Sequence, residues 1–195
     1  MFVKICGMNS EEAVAAAVRA GADAIGFVFA ESPREVTPER AKELCQHLPG
    51  HVVRVAVMRH PERERWQQVL TVFAPDWLQT DAEDLPGIKL PTGTTALPVY
   101  RNGNAPADTD LPDRLLFEGT ASGSGRLADW DEAHGLARVA ELILAGGLTA
   151  ANVDDAVRFV KPWGVDVSSG VERARGEKDP AKIEEFVARV RALQE

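Results

Sequence analysis

The sequence of 195 residues is poor in cysteine, in positive charge and in long apolar segments. Its two cysteines, Cys6 and Cys45, could form at most one bridge, which excludes a disulfide-rich secreted fold and favours free thiols. No apolar run has the length of a membrane helix, and the N-terminal residues MFVKICGM lack the basic and then apolar order of a signal peptide. We therefore expect a cytoplasmic protein with no membrane contact.

Negative charge exceeds positive charge, and the formal net charge is −8. Nucleic-acid surfaces need clustered Lys and Arg, so we expect no nucleic-acid partner. No histidine has metal-ligand spacing with a cysteine or with another histidine, and we expect no metal; the four histidines are His47, His51, His60 and His134. An anionic small molecule would have to be bound locally, by helix N-termini or by single arginines.

The composition is that of an ordinary globular domain, with 45% hydrophobic and 27% charged residues. A chain of this length can bury one substantial core. No linker or change of composition divides the sequence, and we expect one domain over residues 1–195. No apolar helix face calls for a partner, so we expect a monomer.

Short apolar runs alternate with helical segments along the chain. The eight predicted strands are Phe2–Cys6, Ala24–Phe29, Val52–Val57, Trp77–Gln79, Ala96–Tyr100, Leu115–Glu118, Leu142–Leu144 and Val165–Val167. Strands that alternate with helices form parallel sheets, and this count is that of a (β/α)8 TIM barrel. The barrel is the predicted fold, and an open doubly wound sheet is the alternative.

Capping residues mark where the predicted helices begin. The predicted N-caps are Asn9 (in a capping box with Glu12), Thr37, Asp129, Thr149 and Asp179. The second helix should end near Leu48 and the one after Thr149 near Val160. Residues 80–95 and 102–113 contain several prolines and glycines, which disfavour long helices, so helices four and five should be short or vestigial.

Small residues end the last two predicted strands. Gly146-Gly147 follows the seventh strand, and Ser168-Ser169-Gly170 follows the eighth. In a βαβ unit both turns lie at one edge of the sheet, where free backbone N–H groups and a helix N-terminus can bind a phosphate. Glycines after strands can also be simple turn residues. Two adjacent turns of this kind favour a phosphate site.

Polar side chains follow the other strands at the same end of the barrel, where active sites lie in this fold. The candidates are Cys6, Arg34, Asp81, Glu118 and Asp166. Each has a structural alternative: the cysteine as a small core residue, the arginine as a solvated loop residue, and the carboxylates as acceptors for loop amides. Together they place a thiol, carboxylates and a guanidinium around one opening.

Several segments, in order over nearly the whole chain, resemble the phosphoribosylanthranilate isomerase family of tryptophan biosynthesis. They are Lys4–Gly7, Gly26–Phe29, Ser32–Arg34, Leu115–Glu118, Gly123–Gly125 with Asp129-Trp130, Leu144–Leu148 and Val165–Glu172. The Lys-Ile-Cys-Gly and Asp-Val-Ser-Ser-Gly-Val-Glu motifs are specific when they occur together, whereas a Gly-Gly pair alone is weak.

The resemblance implies an Amadori rearrangement that opens the furanose ring of N-(5-phosphoribosyl)anthranilate and gives the aminoketose. It implies that Cys6 is the base and that Glu118 is the acid. It also implies that Arg34 binds the anthranilate carboxylate and that the turns after strands seven and eight bind the phosphate. No cofactor is implied. Asp81 and Asp166 are predicted to contact the substrate.

The sequence departs from the family pattern at two positions. The acid is usually aspartate, where this chain has Glu118, and the fourth strand usually ends in Gln-Leu-His-Gly, where this chain has Asp81 in place of the histidine. Lys4 lies on the same strand face as Cys6, so it could lower the pKa of the thiol or pair with Asp166. The alternative functions are another phosphosugar isomerase on the same barrel and a non-catalytic phosphosugar-binding protein.

Overall fold

The computed structural model describes residues 1–105, 111–120 and 127–193, and within them eight parallel strands form a closed barrel. In chain order these are β1 (Phe2–Cys6), β2 (Ala24–Val28), β3 (Val53–Val57), β4 (Trp77–Asp81), β5 (Thr95–Arg101), β6 (Arg114–Glu118), β7 (Glu141–Leu144) and β8 (Gly164–Val167). Because β1 pairs with both β2 and β8, the sheet has no edge. The predicted TIM barrel is confirmed, and the open sheet is wrong.

Short helices surround the barrel. They are α1 (Glu11–Ala20), α2 (Pro38–Leu44), α3 (Arg63–Val72), α4 (Trp130–Ala137), α5 (Val153–Val160) and α6 (Pro180–Ala192). The connection after β4 holds only a 3-10 helix, Ala82–Gly87, with Pro86 inside it, as predicted. The connection after β5 contains no helix in its described residues, 102–105 and 111–113. Residues 106–110 and the predicted loop Gly123–Gly125 lie outside the described residues.

Two predicted helix starts are wrong by one to three residues. Ser10, not Asn9, caps α1, because its hydroxyl accepts a hydrogen bond from the Ala13 N–H. Asn9 instead donates to the Gly176 carbonyl at 2.8 Å. Thr37, Asp129 and Asp179 cap α2, α4 and α6 as predicted.

The second error lies before α5, where the chain makes a turn that the sequence prediction treated as helix. Asn152, not Thr149, is the N-cap residue. Its Oδ1 accepts from the Thr149 N–H at 2.8 Å, and its Nδ2 donates to the Gly147 carbonyl at 3.0 Å. The predicted end of α2 is also wrong, since the helix stops at Leu44 rather than near Leu48.

Aromatic rings close the N-terminal end of the barrel. Phe2 stacks on Trp77 and on Trp163, with ring centroids 5.3 and 4.6 Å apart. The Arg114 guanidinium lies over both tryptophans and pairs with Glu141. Above this layer the interior is filled by the buried side chains of Leu97, Val99, Leu116, Ile143 and Ala145. Access to the interior is therefore from the C-terminal end.

A short hairpin between β8 and α6 was not predicted from the sequence. A 3-10 turn, Ser169–Val171, leads into β9 (Glu172–Ala174), which pairs antiparallel with β10 (Glu177–Lys178). The hairpin lies at the C-terminal end of the barrel and contributes two charged side chains to the site described below. Within the described residues, no helix is both long and apolar enough to cross a membrane.

Candidate active site

A cavity of about 200 Å³ opens at the C-terminal end of the barrel. All five side chains singled out from the sequence line it: Cys6, Arg34, Asp81, Glu118 and Asp166. Ser168 lines it as well, whereas Gly146, Gly147, Ser169 and Gly170 lie in the turns that follow β7 and β8. The expectation that these side chains share one opening is confirmed.

Cys6 ends β1 directly above a buried ion pair. Lys4 has no exposed surface, and its Nζ donates to Asp166 Oδ1 at 2.8 Å across the β1–β8 pairing, where the two residues are register partners. Burial disfavours the charged ammonium, yet the attraction of Asp166 and Cys6 outweighs it and holds the pKa of Lys4 above its ordinary value. Lys4 is therefore a cation.

The Cys6 thiol lies in an environment with opposing electrostatic effects. Burial raises its pKa, while Lys4 and Lys178 lower it, and the net direction is upward. A Cβ placed on Gly26 of β2 would come within 3.2 Å of both Cys6 Sγ and Lys4 Nζ. The glycine thus leaves the space that the thiol and the ammonium share. Of the two roles considered from the sequence, Lys4 takes the pairing with Asp166, and its lowering effect on the pKa of Cys6 is outweighed by burial.

Arg34 lies in the loop after β2 and is held in a fixed plane. Its backbone N–H donates to Ser32 Oγ at 3.1 Å. Its Nε and Nη2 donate to the two carboxylate oxygens of Glu172 at 2.6 and 3.0 Å, a bidentate pair. Only 7% of the residue is exposed, so it is not a solvated loop arginine.

Glu172 of β9 links Arg34 to a second cation. Lys178 Nζ donates to Glu172 Oε1 at 2.8 Å and to the Ser168 carbonyl at 2.9 Å. Burial alone would raise the pKa of Glu172, but the hydrogen bonds from Arg34 and Lys178 outweigh it and lower the pKa from 4.5 to about 2. A Cβ on Gly7 would come within 2.6 Å of Arg34 Cδ and 3.1 Å of Ser168 Oγ, so this turn packs against the same cluster.

A second charged cluster joins the ends of β4, β5 and β6. Arg101 Nη1 lies 2.6 Å from Asp81 Oδ1, and its Nη2 lies 2.9 Å from Glu118 Oε1. Two further basic side chains approach Asp81 Oδ2 from the loop after β3: His60 Nε2 at 3.3 Å and Arg59 Nε at 3.8 Å. Both oxygens of Asp81 thus face a guanidinium group.

His60 adopts a left-handed backbone conformation (φ 44°), which is uncommon outside glycine. Its backbone N–H donates to Asp84 Oδ2 at 2.9 Å, and its Nδ1 lies 3.0 Å from Asp84 Oδ1. The hydrogen bond to Asp84 raises the pKa of the imidazole. A histidine thus lies beside Asp81, although it comes from the third loop and not from β4.

The sequence prediction missed five ionisable residues of this site: Arg59, His60, Arg101, Glu172 and Lys178. Arg101 ends a strand and could have been found by asking which polar side chain each strand brings to the opening, but the predicted strand stopped one residue short of it. Glu172 was part of a quoted motif without a role of its own. Lys178 lies in β10 of the unpredicted hairpin, and His60 lies in the loop after β3. Neither position carries a local sequence signal.

The turns after β7 and β8 fit closely together. Gly146 and Gly147 both have positive φ values, 87° and 66°, which glycine adopts without strain. A Cβ on Gly170 would lie 1.9 Å from the Leu148 carbonyl oxygen, so any side chain there would push the turns apart. The two turns therefore pack directly against each other.

Potential metal ligands occur at one place in the described part of the chain. One ligand atom each of His60, Asp81 and Glu83 lie within 4.8 Å of one another. Asp81 is already the partner of Arg101 and Arg59, and two guanidinium groups at this distance oppose a bound cation. The absence of a metal stays a prediction.

Comparison with known proteins identifies the family. A sequence model described as N-(5'phosphoribosyl)anthranilate (PRA) isomerase matches residues 3–189. The chain belongs to this family. An N-(5'-phosphoribosyl)anthranilate isomerase of Listeria monocytogenes is 39% identical over 213 residues, with 100% of each chain covered.

Solved structures agree with this assignment. The phosphoribosyl anthranilate isomerase of Thermus thermophilus is 30% identical, with a TM-score of 0.85, and the match covers 99% of this chain and 100% of that one. A family structure in complex with reduced 1-(o-carboxyphenylamino)-1-deoxyribulose 5-phosphate is 29% identical, with a TM-score of 0.81 and coverage of 98% and 99%. The motif resemblance is confirmed, and the chain is an isomerase of tryptophan biosynthesis.

The Glu172 cluster predicts a specific pH dependence of stability. The folded pKa of Glu172 is about 2, below its ordinary value of 4.5. Its contribution is therefore present above pH 4.5 and is lost as pH falls towards 2. We expect Glu172→Gln to lower the free energy of unfolding at neutral pH, and the difference from wild type to shrink over that acid range, as measured by urea denaturation.

A matched control is Glu177→Gln on the neighbouring β10. Glu177 pairs with Arg173 at 3.0 Å, but both side chains are largely exposed, so this pair should add little at any pH. Parallel pH curves for wild type and Glu172→Gln would contradict the assignment of the lowered pKa.

Proposed function

We propose that the mouth of this barrel converts N-(5-phospho-β-D-ribosyl)anthranilate to 1-(2-carboxyphenylamino)-1-deoxy-D-ribulose 5-phosphate, with Cys6 as the base and Glu118 as the acid. The observation that carries this proposal is the order of groups around the rim. The acid ends β6, the two small-residue turns follow β7 and β8, and the thiol ends β1. A phosphosugar bound at the turns would lie between the acid and the base.

The proposed steps use one proton donor and one proton acceptor. Glu118 gives its proton to the ring oxygen as the C1–O bond breaks, and the nitrogen lone pair forms the iminium. Cys6, as a thiolate, then takes the proton from C2. The C2–H electrons form the C1=C2 double bond of an enaminol, which tautomerises to the ketone. Burial makes the thiolate scarce but strongly basic, and Lys4 and Lys178 supply the positive charge that lets it form.

Arg34 is proposed to bind the anthranilate carboxylate. Glu172 contacts its Nε and Nη2, which fixes the plane of the guanidinium, and neither contact uses Nη1. A planar fork held in this way suits a planar carboxylate. Asp166 and Asp81 line the same cavity and are proposed to contact the substrate, each while held by a cation: Lys4 for Asp166 and Arg101 for Asp81.

The phosphate is proposed to bind at the turns containing Gly146, Gly147, Ser168, Ser169 and Gly170. Backbone N–H groups can hold a phosphate without a lysine, which suits a chain with a net charge of −8. The close approach of Gly170 to Leu148 supports a single cradle built from both turns.

A different phosphosugar isomerase is the weaker candidate. A substrate with two phosphates would need a second anion site in the opposite half of the barrel. There the 3-10 helix Ala82–Gly87 has Glu83 and Asp84 in its first turn, which would repel a phosphate. The non-catalytic alternative rests only on Glu118, and the presence of a buried thiol beside Lys4 speaks against it.

We expect Cys6→Ser and Glu118→Ala each to lower kcat by about 100-fold or more, since each removes a proton-transfer group. Glu118→Asp keeps the carboxylic acid and should retain more activity than Glu118→Ala. The assay generates the labile substrate in situ and follows the loss of its anthranilate fluorescence. Wild-type activity in Glu118→Ala would exclude this acid, and no turnover by the wild type would favour the binding-protein alternative.

Gly170→Ala tests the phosphate cradle. The added Cβ would force the Leu148 carbonyl away, so we expect a higher KM and weaker competitive inhibition by inorganic phosphate. Gly50→Ala is the control, because a Cβ there meets nothing within 4 Å. An unchanged phosphate inhibition constant in folded Gly170→Ala would place the phosphate elsewhere.

We also infer that the protein is located in the cytoplasm, since both cysteines are free thiols. We infer in addition that it is a monomer. Phe159 is an exposed apolar side chain of α5, but the Trp130 and His134 rings of α4 pack near it, with centroids 6.3 and 6.0 Å away. Light scattering after size-exclusion chromatography should give the chain mass of 21.1 kDa, and twice this mass would show a dimer.

A further inference from the structure

We propose that Arg101 is a positioning residue that holds the acid, Glu118, at the cavity, with Asp81 as the counter-charge that keeps the arginine in place. This proposal rests on the proposed role of Glu118 as the acid. It assigns to Arg101 a role that acts on the substrate only through Glu118, and to Asp81 the role of counter-charge for Arg101 beside its proposed contact with the substrate.

The first argument is the geometry of the cluster. One guanidinium reaches carboxylates on both neighbouring strands, at 2.6 Å to Asp81 on β4 and at 2.9 Å to Glu118 on β6. All three side chains are largely buried, with exposed fractions of 7% for Asp81, 16% for Arg101 and 12% for Glu118. Charged hydrogen bonds that are shielded from water in this way restrict side-chain motion more strongly than exposed pairs.

The second argument is the register of the three strands. Arg101 and Glu118 are direct register partners in the β5–β6 pair. Asp81 pairs with Val99, two residues before Arg101, so it lies one step deeper on the same face of the sheet. Asp81 therefore binds Nη1 of the Arg101 guanidinium from below, while Nη2 of the same group reaches Glu118 at the rim.

The third argument concerns the length of the acid. Glutamate has one more rotatable bond than aspartate, and an unrestrained carboxyl group would sample several positions at the rim. The contact with Arg101 selects one of them. The two positions at which this chain departs from the family pattern, Asp81 and Glu118, are the two carboxylates that Arg101 joins.

The fourth argument is charge balance during proton donation. Glu118 must carry a proton before it can act as an acid, and it is then neutral. If it were the sole partner, the buried guanidinium would be left uncompensated, which is unfavourable. Asp81 provides the compensating charge, and its second oxygen faces His60 and Arg59 at 3.3 and 3.8 Å. The cluster can thus hold Glu118 in either protonation state.

The test is a double-mutant cycle between Arg101 and Glu118, measured with the in situ fluorescence assay. We expect Arg101→Met to lower kcat by about 10- to 100-fold with KM changed less than about threefold, since a misplaced acid impairs the chemical step rather than binding. In a Glu118→Gln background the same substitution should change the residual kcat by less than about twofold. Arg101→Lys keeps the charge but cannot span both carboxylates, so its kcat should fall between that of the wild type and that of Arg101→Met.

Arg114→Met is the matched control, because Arg114 starts the same strand as Glu118 and pairs with Glu141 at the opposite end of the barrel. It should leave kcat and KM unchanged. If Arg101→Met does not fold, Arg101→Lys completes the same cycle, and it should lower kcat only when Glu118 is present.

The positioning role would be overturned if the kcat losses of Arg101→Met and Glu118→Gln multiplied in the double variant. It would also be overturned if Arg101→Met changed only KM. Wild-type kcat in folded Arg101→Met and Arg101→Lys would overturn it as well. These results differ from failure of the proposed function: wild-type kcat in Glu118→Gln alone would remove the acid assignment itself. Loss of kcat in Glu118→Gln with no effect of the Arg101 variants would refute only the role of Arg101.

Discussion

The buried ion pair between Lys4 and Asp166 is the interaction on which the site depends. It spans the first and last strands, where the barrel closes, and the two residues are register partners there. A shift of one residue would turn every side chain of the strand to the other face and leave two charges buried without partners, which is strongly unfavourable. The pair therefore favours the register that brings Cys6 beside the Ser168 turn.

The same constraint applies around the whole rim, where buried cations are joined to carboxylates. Lys178 and Arg34 share Glu172, and Arg101 is shared by Asp81 and Glu118. Such sharing lets a chain with a net charge of −8 keep several cations at one opening. An anionic substrate then meets a local field that the overall charge of the molecule would not provide.

The sequence was sufficient for the barrel and for the first polar side chain after most strands. Alternation and strand number predicted the fold, since a parallel strand must bury both faces and so appears as a short apolar run. The failures lie where position depends on distant contacts. Asn152 takes the N-cap position of α5 while its side chain bonds to the Thr149 and Gly147 backbone, and Lys178 reaches Glu172 through a hairpin that has no apolar pattern. Arg101 was lost to an error of one residue in a strand end.

Predicting which residues line the mouth is easier than predicting how they are paired. Strand-end position depends on the backbone, which the apolar pattern specifies, whereas pairing depends on which long side chain reaches which neighbour. Glu118 illustrates the difference: its place at the end of β6 followed from the run Leu115–Phe117, but its contact with an arginine of the adjacent strand did not. Under the role proposed for Glu118, the longer acid keeps its position through the contact with Arg101, and Arg101 is in turn held by Asp81.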